Sequence, residues 1–227
     1  MISDYFDKIY IINMRRSLKR RMAALFHIQK LKLNNASLVE AVDGRSLDLE
    51  EMKVEGSLQW DDWKQRDLTQ GEVGCYISHV KAWNMMVDQR LGNVLICEDD
   101  IVWRPDANEI ADRFMSEVPD DWDIIHFHSY VGIGSGRHND SDRKRISEHV
   151  WRGFDEGGGT LCYAINIRAA RFLLGKAFPI CYAVDGLTNK LTSPERNTEY
   201  HGYVCHPFLC GFSKIESEID KIFKRVN

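Results

Sequence analysis

The 227-residue sequence has no excess of positive charge: 30 Lys and Arg face 34 Asp and Glu, a formal net charge of −4, which excludes a strongly basic nucleic-acid binder. No stretch approaches the ~18 consecutive apolar residues that a membrane-spanning helix needs. Asp4 and Asp7 stand where a secretory leader would be basic and then apolar. The six cysteines (Cys75, Cys97, Cys162, Cys181, Cys205, Cys210) form no C-x-x-C pair and lack the density of a disulfide scaffold. These absences predict a soluble, cytoplasmic protein with reduced, buried thiols. There is no internal repeat and no low-complexity linker. What is present, 44% hydrophobic and 11% aromatic residues, suffices for one sizeable core, and a single domain over residues 1–227 is expected.

Lys8 to Asn13 (K-I-Y-I-I-N) reads as a strand buried on both faces. Ser17 is placed to cap a following helix whose apolar positions Leu18, Met22, Leu25 and Phe26 define an inward face, with Arg16, Lys19, Arg20 and Lys30 mostly on the wet side. A weaker strand spans Ser37 to Val42 and turns at Asp43-Gly44, after which a charged loop carries Trp60 and Trp63. Thr69 to Arg90 is the clearest helix, opened by a Thr69/Glu72 capping box. Asn93 to Cys97 is another buried strand. The alternation continues with a helix near Ala107 to Glu117, strands at Trp122 to His128 and Thr160 to Asn166, a helix near Ala169 to Lys176, and a strand at Gly202 to His206. Such alternation predicts an α/β fold, a mostly parallel central sheet with helices on both faces.

Glu98-Asp99-Asp100 closes the third strand. Alone, three adjacent acids read as a solvated loop. At the carboxyl end of a buried strand they repel one another unless a cation is present, and open α/β sheets bind ligands there. The two-residue period puts Glu98 and Asp100 on one side and Asp99 on the other, a pair suited to Mn²⁺ or Mg²⁺ holding a diphosphate. Asn13, Arg15 and Arg16 follow the first strand, where an amide can read a base or ribose and a guanidinium a phosphate. Arg20 is assigned with Lys19 and Arg21 to the solvated helix face. Asp185 is either an N-cap or a general base. For Glu72 the capping box is preferred over catalysis. His79 reads as a core histidine, His206 as a residue able to complete a metal shell, and Gly157-Gly158-Gly159 as either a close approach to sugar or phosphate or a plain flexible turn.

In order along the chain, I-Y-I-I-N-M-R-R-S-L-K-R-R (Ile9 to Arg21), A-V-D-G (Ala41 to Gly44), L-T-Q-G-E-V-G-C-Y-I-S-H (Leu68 to His79), V-L-I-C-E-D-D (Val94 to Asp100), D-W-D-I-I (Asp121 to Ile125), G-G-T-L-C-Y-A-I (Gly158 to Ile165) and Val184-Asp185 resemble glycosyltransferase family 25. The resemblance implies a GT-A-like nucleotide-sugar-binding fold, with 1–128 as the nucleotide-sugar half and 129–227 as the acceptor-side half. It further implies a UDP-sugar donor, a divalent cation and transfer of galactose or glucose with inversion. By it, Asp100 with Glu98 or Asp99 is the metal and diphosphate site, and Asn13 to Arg16 belong to the nucleotide pocket. The expected site set is Asp185 and Glu72 for catalysis; Asn13, Arg15, Arg16, Asp99 and Gly158 for the donor; and Glu98, Asp100 and His206 for the metal. A surface glycan such as lipooligosaccharide is the leading acceptor, with hydroxylysine and a hydroxymethylated DNA base as alternatives. Two other classes compete: a metal-dependent phosphohydrolase or nucleotidyltransferase using the same acids, and a sugar-binding protein using Trp60, Trp63, Trp83 and Trp151.

Overall fold

A computed structural model describes residues 1–61, 66–128, 144–152, 159–192 and 199–213. In chain order the strands are β1 Lys8–Asn13, β2 Ala36–Glu40, β3 Asn93–Glu98, β4 Ile101–Trp103, β5 Ile124–His126, β6 Lys144–Arg145, β7 Val150–Arg152, β8 Cys162–Asn166, β9 Gly202–Cys205 and β10 Cys210–Phe212. The helices are α1 Leu18–Lys30, α2 Leu49–Val54, α3 Gln70–Asp88, α4 Ala107–Glu117, α5 Ile167–Gly175 and α6 Val184–Thr192. The main sheet has the order β2-β1-β3-β8-β5-β9-β7-β6, and β4 pairs with β10 in a small antiparallel sheet. In the main sheet β1, β2, β3, β5, β9 and β6 run one way, and only β8 and β7 run against them. The expected α/β fold with a mostly parallel sheet is therefore present.

The two-residue period of the central strands builds the core on both sides. Ile9 and Ile11 with Leu95 and Cys97 face one cluster, which α4 closes with Ile110 and Phe114. Tyr10 and Ile12 with Val94 and Ile96 face the other, closed by Val73, Tyr76, Val80 and Trp83 of α3 together with α5 and α6. Trp83 is thus a core residue, and its Nε1 donates to the Tyr163 hydroxyl at 2.9 Å. Trp60 is exposed, Trp151 half-buried, and Trp63 lies outside the described residues. All six cysteines are free thiols; Cys75 and Cys181 are only partly buried.

Two glycine segments interlock beside α3. A Cβ on Gly74 would lie 2.7 Å from the Gly44 nitrogen and 2.8 Å from its Cα, and a Cβ on Gly44 would fall on the Gln70 carbonyl. The A-V-D-G loop can dock on the first turns of α3 only because both positions lack a side chain. Ser78 then pins the loop: its hydroxyl donates to the Gly74 carbonyl at 2.6 Å and accepts from the Val42 N–H at 2.8 Å. The α3 capping box is present as expected.

Helix α1 departs from expectation in two ways. Ser17 occupies the N-cap position but makes no capping hydrogen bond. The helix also faces the other way: Arg20 and Ala24 are its buried residues, while Leu18, Met22, Leu25 and Phe26 are exposed. The reason lies in the site that Arg20 enters.

Candidate active site

β3 ends at Glu98, and the chain turns through Asp99 and Asp100 into β4. The three carboxylates meet different surroundings. Asp99 is buried and accepts from Asn13 Nδ2 at 2.6 Å and from Arg20 Nη1 at 3.0 Å. Asn13 reaches it because β1 lies parallel beside β3, with Ile12 opposite Glu98. The Arg20 guanidinium also lies 3.5 Å from Asp100 Oδ2. Arg20 is therefore not on the solvated face, as its place in a basic run had suggested, but a buried counter-charge to two of the three acids. Burial raises the Asp99 pKa, and Asn13 and Arg20 offset only part of that rise.

Glu98 turns toward α3. The Thr160 hydroxyl donates to its Oε1 at 2.8 Å, and His79 Nε2 stands 3.7 Å from the same oxygen. Burial pushes the Glu98 pKa up, but His79, Thr160 and Arg20 outweigh it and hold the carboxyl below its ordinary value. His79 is itself oriented by a 2.8 Å hydrogen bond between Nδ1 and the Tyr163 hydroxyl. Asp100 is the least satisfied of the three. Its Oδ1 is buried with no hydrogen-bond partner, and burial followed by the charge of Glu98 pushes its pKa from 3.8 to about 7. Glu98 and Asp100 are thus electrostatically linked, and the nearby Arg20 charge offsets only part of the rise that burial and Glu98 impose on Asp100.

Cys75, one turn before His79 on α3, marks where further acids converge. Its thiol pKa is pushed well above the ordinary value by burial and then by the charges of Glu98, Asp185, Asp100 and Glu72. Asp185, distant in sequence, is thereby within electrostatic reach of Cys75, as Glu98 and Asp100 are. It sits in the first turn of α6, one residue inside the helix, and its Oδ1 accepts from the Gly186 N–H at 2.9 Å. Among the described residues, Cys75, His79 and Glu98 are the one group of three whose ligand atoms all lie within 4.8 Å of one another.

His206 is not brought to this cluster. It follows β9, which β8 and β5 separate from β3; its N–H donates to the His149 carbonyl at 2.9 Å, and the cation near it is Arg145. Of the metal set expected from Glu98, Asp100 and His206, the structure places Glu98 and Asp100 at the end of β3 and His206 beyond β8 and β5. The histidines in the field of Glu98 are His79 and His128. The Glu72 carboxylate accepts from the Thr69 N–H and hydroxyl and from both terminal nitrogens of Arg66 at 2.7 and 2.8 Å, the structural role already preferred for it. Arg16 pairs with Asp43, and Arg15 is exposed. Gly158 lies outside the described residues; Gly159, next to it, has a left-handed φ of 60° and leads into Thr160.

The family profile for glycosyltransferase family 25 (LPS biosynthesis protein) matches residues 6–188. The chain belongs to glycosyltransferase family 25. Mouse procollagen galactosyltransferase 2 is 28% identical over 184 residues, 75% of this chain and 28% of that protein. The mouse inactive glycosyltransferase 25 family member 3 is 28% identical over 220 residues, 92% of this chain and 36% of that protein. A Drosophila melanogaster glycosyltransferase 25 family member is 36% identical over 129 residues, 53% and 21% of the two chains. The chain thus spans about a third of the length of such curated relatives. Among solved structures, a glycosyltransferase involved in glycosylation of the major capsid of PBCV-1 covers 96% of this chain and 100% of its own, with 8% identity and a TM-score of 0.48.

Within this family-25 chain, reading residues singly missed Arg20, Thr160, Cys75 and the site role of His79. All four sit inside segments that carry the resemblance, Arg20 in the Ile9 to Arg21 run and the others in the G-C-Y-I-S-H and G-G-T runs, so the signal was in the segments. Arg20 was hidden because a basic residue in a basic run looks solvated.

Proposed function

We propose that the chain moves a hexose from a UDP-sugar to a hydroxyl acceptor with inversion at the anomeric carbon, in a GT-A-like domain whose halves, 1–128 and 129–227, serve donor and acceptor. The observation that carries this reading is Asp100: a buried carboxyl with an unpartnered oxygen, its proton held up to about 7 beside Glu98, at the end of a central strand. Such a group is suited to a cation that arrives with its substrate. Asp100 and Glu98 would hold Mn²⁺ or Mg²⁺, which when bound would neutralise charge on the departing diphosphate.

The chain's own residues do the rest. Asn13 and Arg20 hold Asp99 and so fix the turn that carries Asp100. The buried Asn13 Oδ1, without a hydrogen-bond partner, is an acceptor for an N–H or O–H of the nucleoside. Asp185 takes the acceptor hydroxyl's proton as the acceptor oxygen bonds to the anomeric carbon and the bond to the phosphate oxygen breaks, its electron pair leaving with UDP. Galactose is favoured as the sugar because active relatives of this chain are named galactosyltransferases. A surface glycan is the favoured acceptor, ahead of hydroxylysine and a hydroxymethylated DNA base, and the cytoplasm the favoured location. No helix among the described residues is long and apolar enough to cross a membrane.

The test is UDP release from UDP-galactose and UDP-glucose with and without EDTA. Asp185→Asn should leave UDP binding in place and lower turnover by a factor of about 10² or more. Turnover near wild type in that variant overturns the assignment of the base. Phosphate or diphosphate released from nucleotides without sugar transfer would establish the phosphohydrolase class instead.

A further inference from the structure

The outward face of α1 has no role in the site. Leu18 and Met22 are each 67% exposed, Phe26 59% and Leu25 42%. Scattered exposed apolar residues are ordinary, but these recur at positions i, i+4, i+7 and i+8 and so make one stripe along a single helix. The stripe faces out because the helix is rotated to send Arg20 to Asp99 and Asp100, and Ala24 follows Arg20 inward one turn later. The site therefore decides which face of α1 meets solvent.

What flanks the stripe is all of one sign. Arg15, Lys19, Arg21 and Lys30 are exposed around it, and Lys30 Nζ lies 6.0 Å from the Phe26 ring centroid. Between Asp7 and Glu40 the sequence has no acidic residue, although the whole chain carries a net charge of −4. An apolar ridge rimmed by cations is complementary to a surface whose interior is hydrocarbon and whose rim is phosphate. A second copy of this chain fits less well, since two-fold pairing of the ridge would set one cationic rim against another. Nucleic acid would match the cations and leave four apolar side chains against phosphate.

We propose that α1 is an interfacial helix that docks the protein on an anionic lipid surface, with Leu18, Met22, Leu25 and Phe26 inserted at the headgroup boundary and Lys19, Arg21 and Lys30 on lipid phosphates. The docking concerns this face alone and is read by binding, not turnover, so its outcome is independent of the transferase assignment.

The experiment is flotation of the full chain with vesicles of phosphatidylcholine, with and without phosphatidylglycerol, at ~50 and ~300 mM salt. Binding is expected on the anionic vesicles, weaker at the higher salt. Met22→Ser/Phe26→Ser should reduce it at least about tenfold. Lys19→Gln/Arg21→Gln should reduce it by about fivefold for each charge removed. Val54→Ser, at an 89% exposed apolar residue on α2, should leave it unchanged. Circular dichroism of each variant verifies the fold, which these exposed positions should not disturb. The proposal is overturned by absence of binding to anionic vesicles, by equal binding to neutral ones, or by binding that Met22→Ser/Phe26→Ser leaves intact. It is also overturned if that variant abolishes self-association in sedimentation, or if the wild type prefers duplex DNA to vesicles and the double Ser variant retains that preference.

Discussion

Replacing Asp100 with Asn tests the electrostatics of the site without reference to any substrate. In the fold the Asp100 proton is held up to about 7, against 3.8 for the free side chain, by burial and by Glu98. A raised carboxyl pKa means that the folded state binds the proton more tightly than the unfolded state, so ionisation opposes folding. Below about pH 4 both states are protonated and the group contributes nothing. Between about 4 and 7 the penalty grows by roughly 1.4 kcal/mol per pH unit, and above 7 it is complete at about 4 kcal/mol. Asn keeps the shape and removes the charge. The gain of Asp100→Asn over wild type in metal-free buffer should therefore be under about 1 kcal/mol at pH 4 and reach about 3–4 kcal/mol at pH 8. Urea unfolding followed by tryptophan fluorescence across that range measures the difference directly, and comparison of the two proteins cancels the titrating groups that do not interact with Asp100. Mn²⁺ should raise the melting temperature of the wild type at pH 8 and leave that of Asp100→Asn unchanged. A stability difference that does not depend on pH would refute the reasoning.

Three further substitutions probe what surrounds that group. Arg20→Met leaves Asp99 and Asp100 without their buried counter-charge and should destabilise the protein by about 3–5 kcal/mol at pH 8, less at pH 4 where the Asp100 carboxyl is neutral; an equal loss at both pH values in urea titrations would show that the guanidinium acts only by packing. Gly74→Ala forces a methyl into the Gly44 backbone and should cost more than about 3 kcal/mol, whereas Gly175→Ala, with nothing within 4 Å, should lie within about 1 kcal/mol of wild type; calorimetry distinguishes them. Arg90, exposed with a φ of 56° just past the end of α3, should be replaceable by Gly with a gain of up to about 1 kcal/mol, and a measured loss would mean that the side chain is needed there.

Local pattern was enough for the elements that form the centre. The run K-I-Y-I-I-N became β1 with Ile9 and Ile11 on one face and Tyr10 and Ile12 on the other, because a strand buried on both sides needs no partner information to be recognised. The Thr69/Glu72 box marked the start of α3 for the same reason: both groups that satisfy the orphan N–H donors lie within four residues. The acids at the end of β3 were likewise visible, since repulsion among neighbours in sequence requires no fold.

What the sequence determined by itself was thus the α/β class, the strand that ends in three acids, and kinship with family 25. Tertiary structure decided which groups meet those acids. The periodicity of α1 indicated an amphipathic helix but gave the wrong inward face: Arg20 turns in to meet carboxylates about eighty positions away, the apolar stripe is left outward, and hydrophobic pattern carries no information about distant charge. The antiparallel insertion of β8 between β3 and β5 delivers Thr160 and Tyr163 to Glu98 and His79, and it carries β9 and His206 away from them. Strand order is set by long-range pairing, and no local window of sequence contains it.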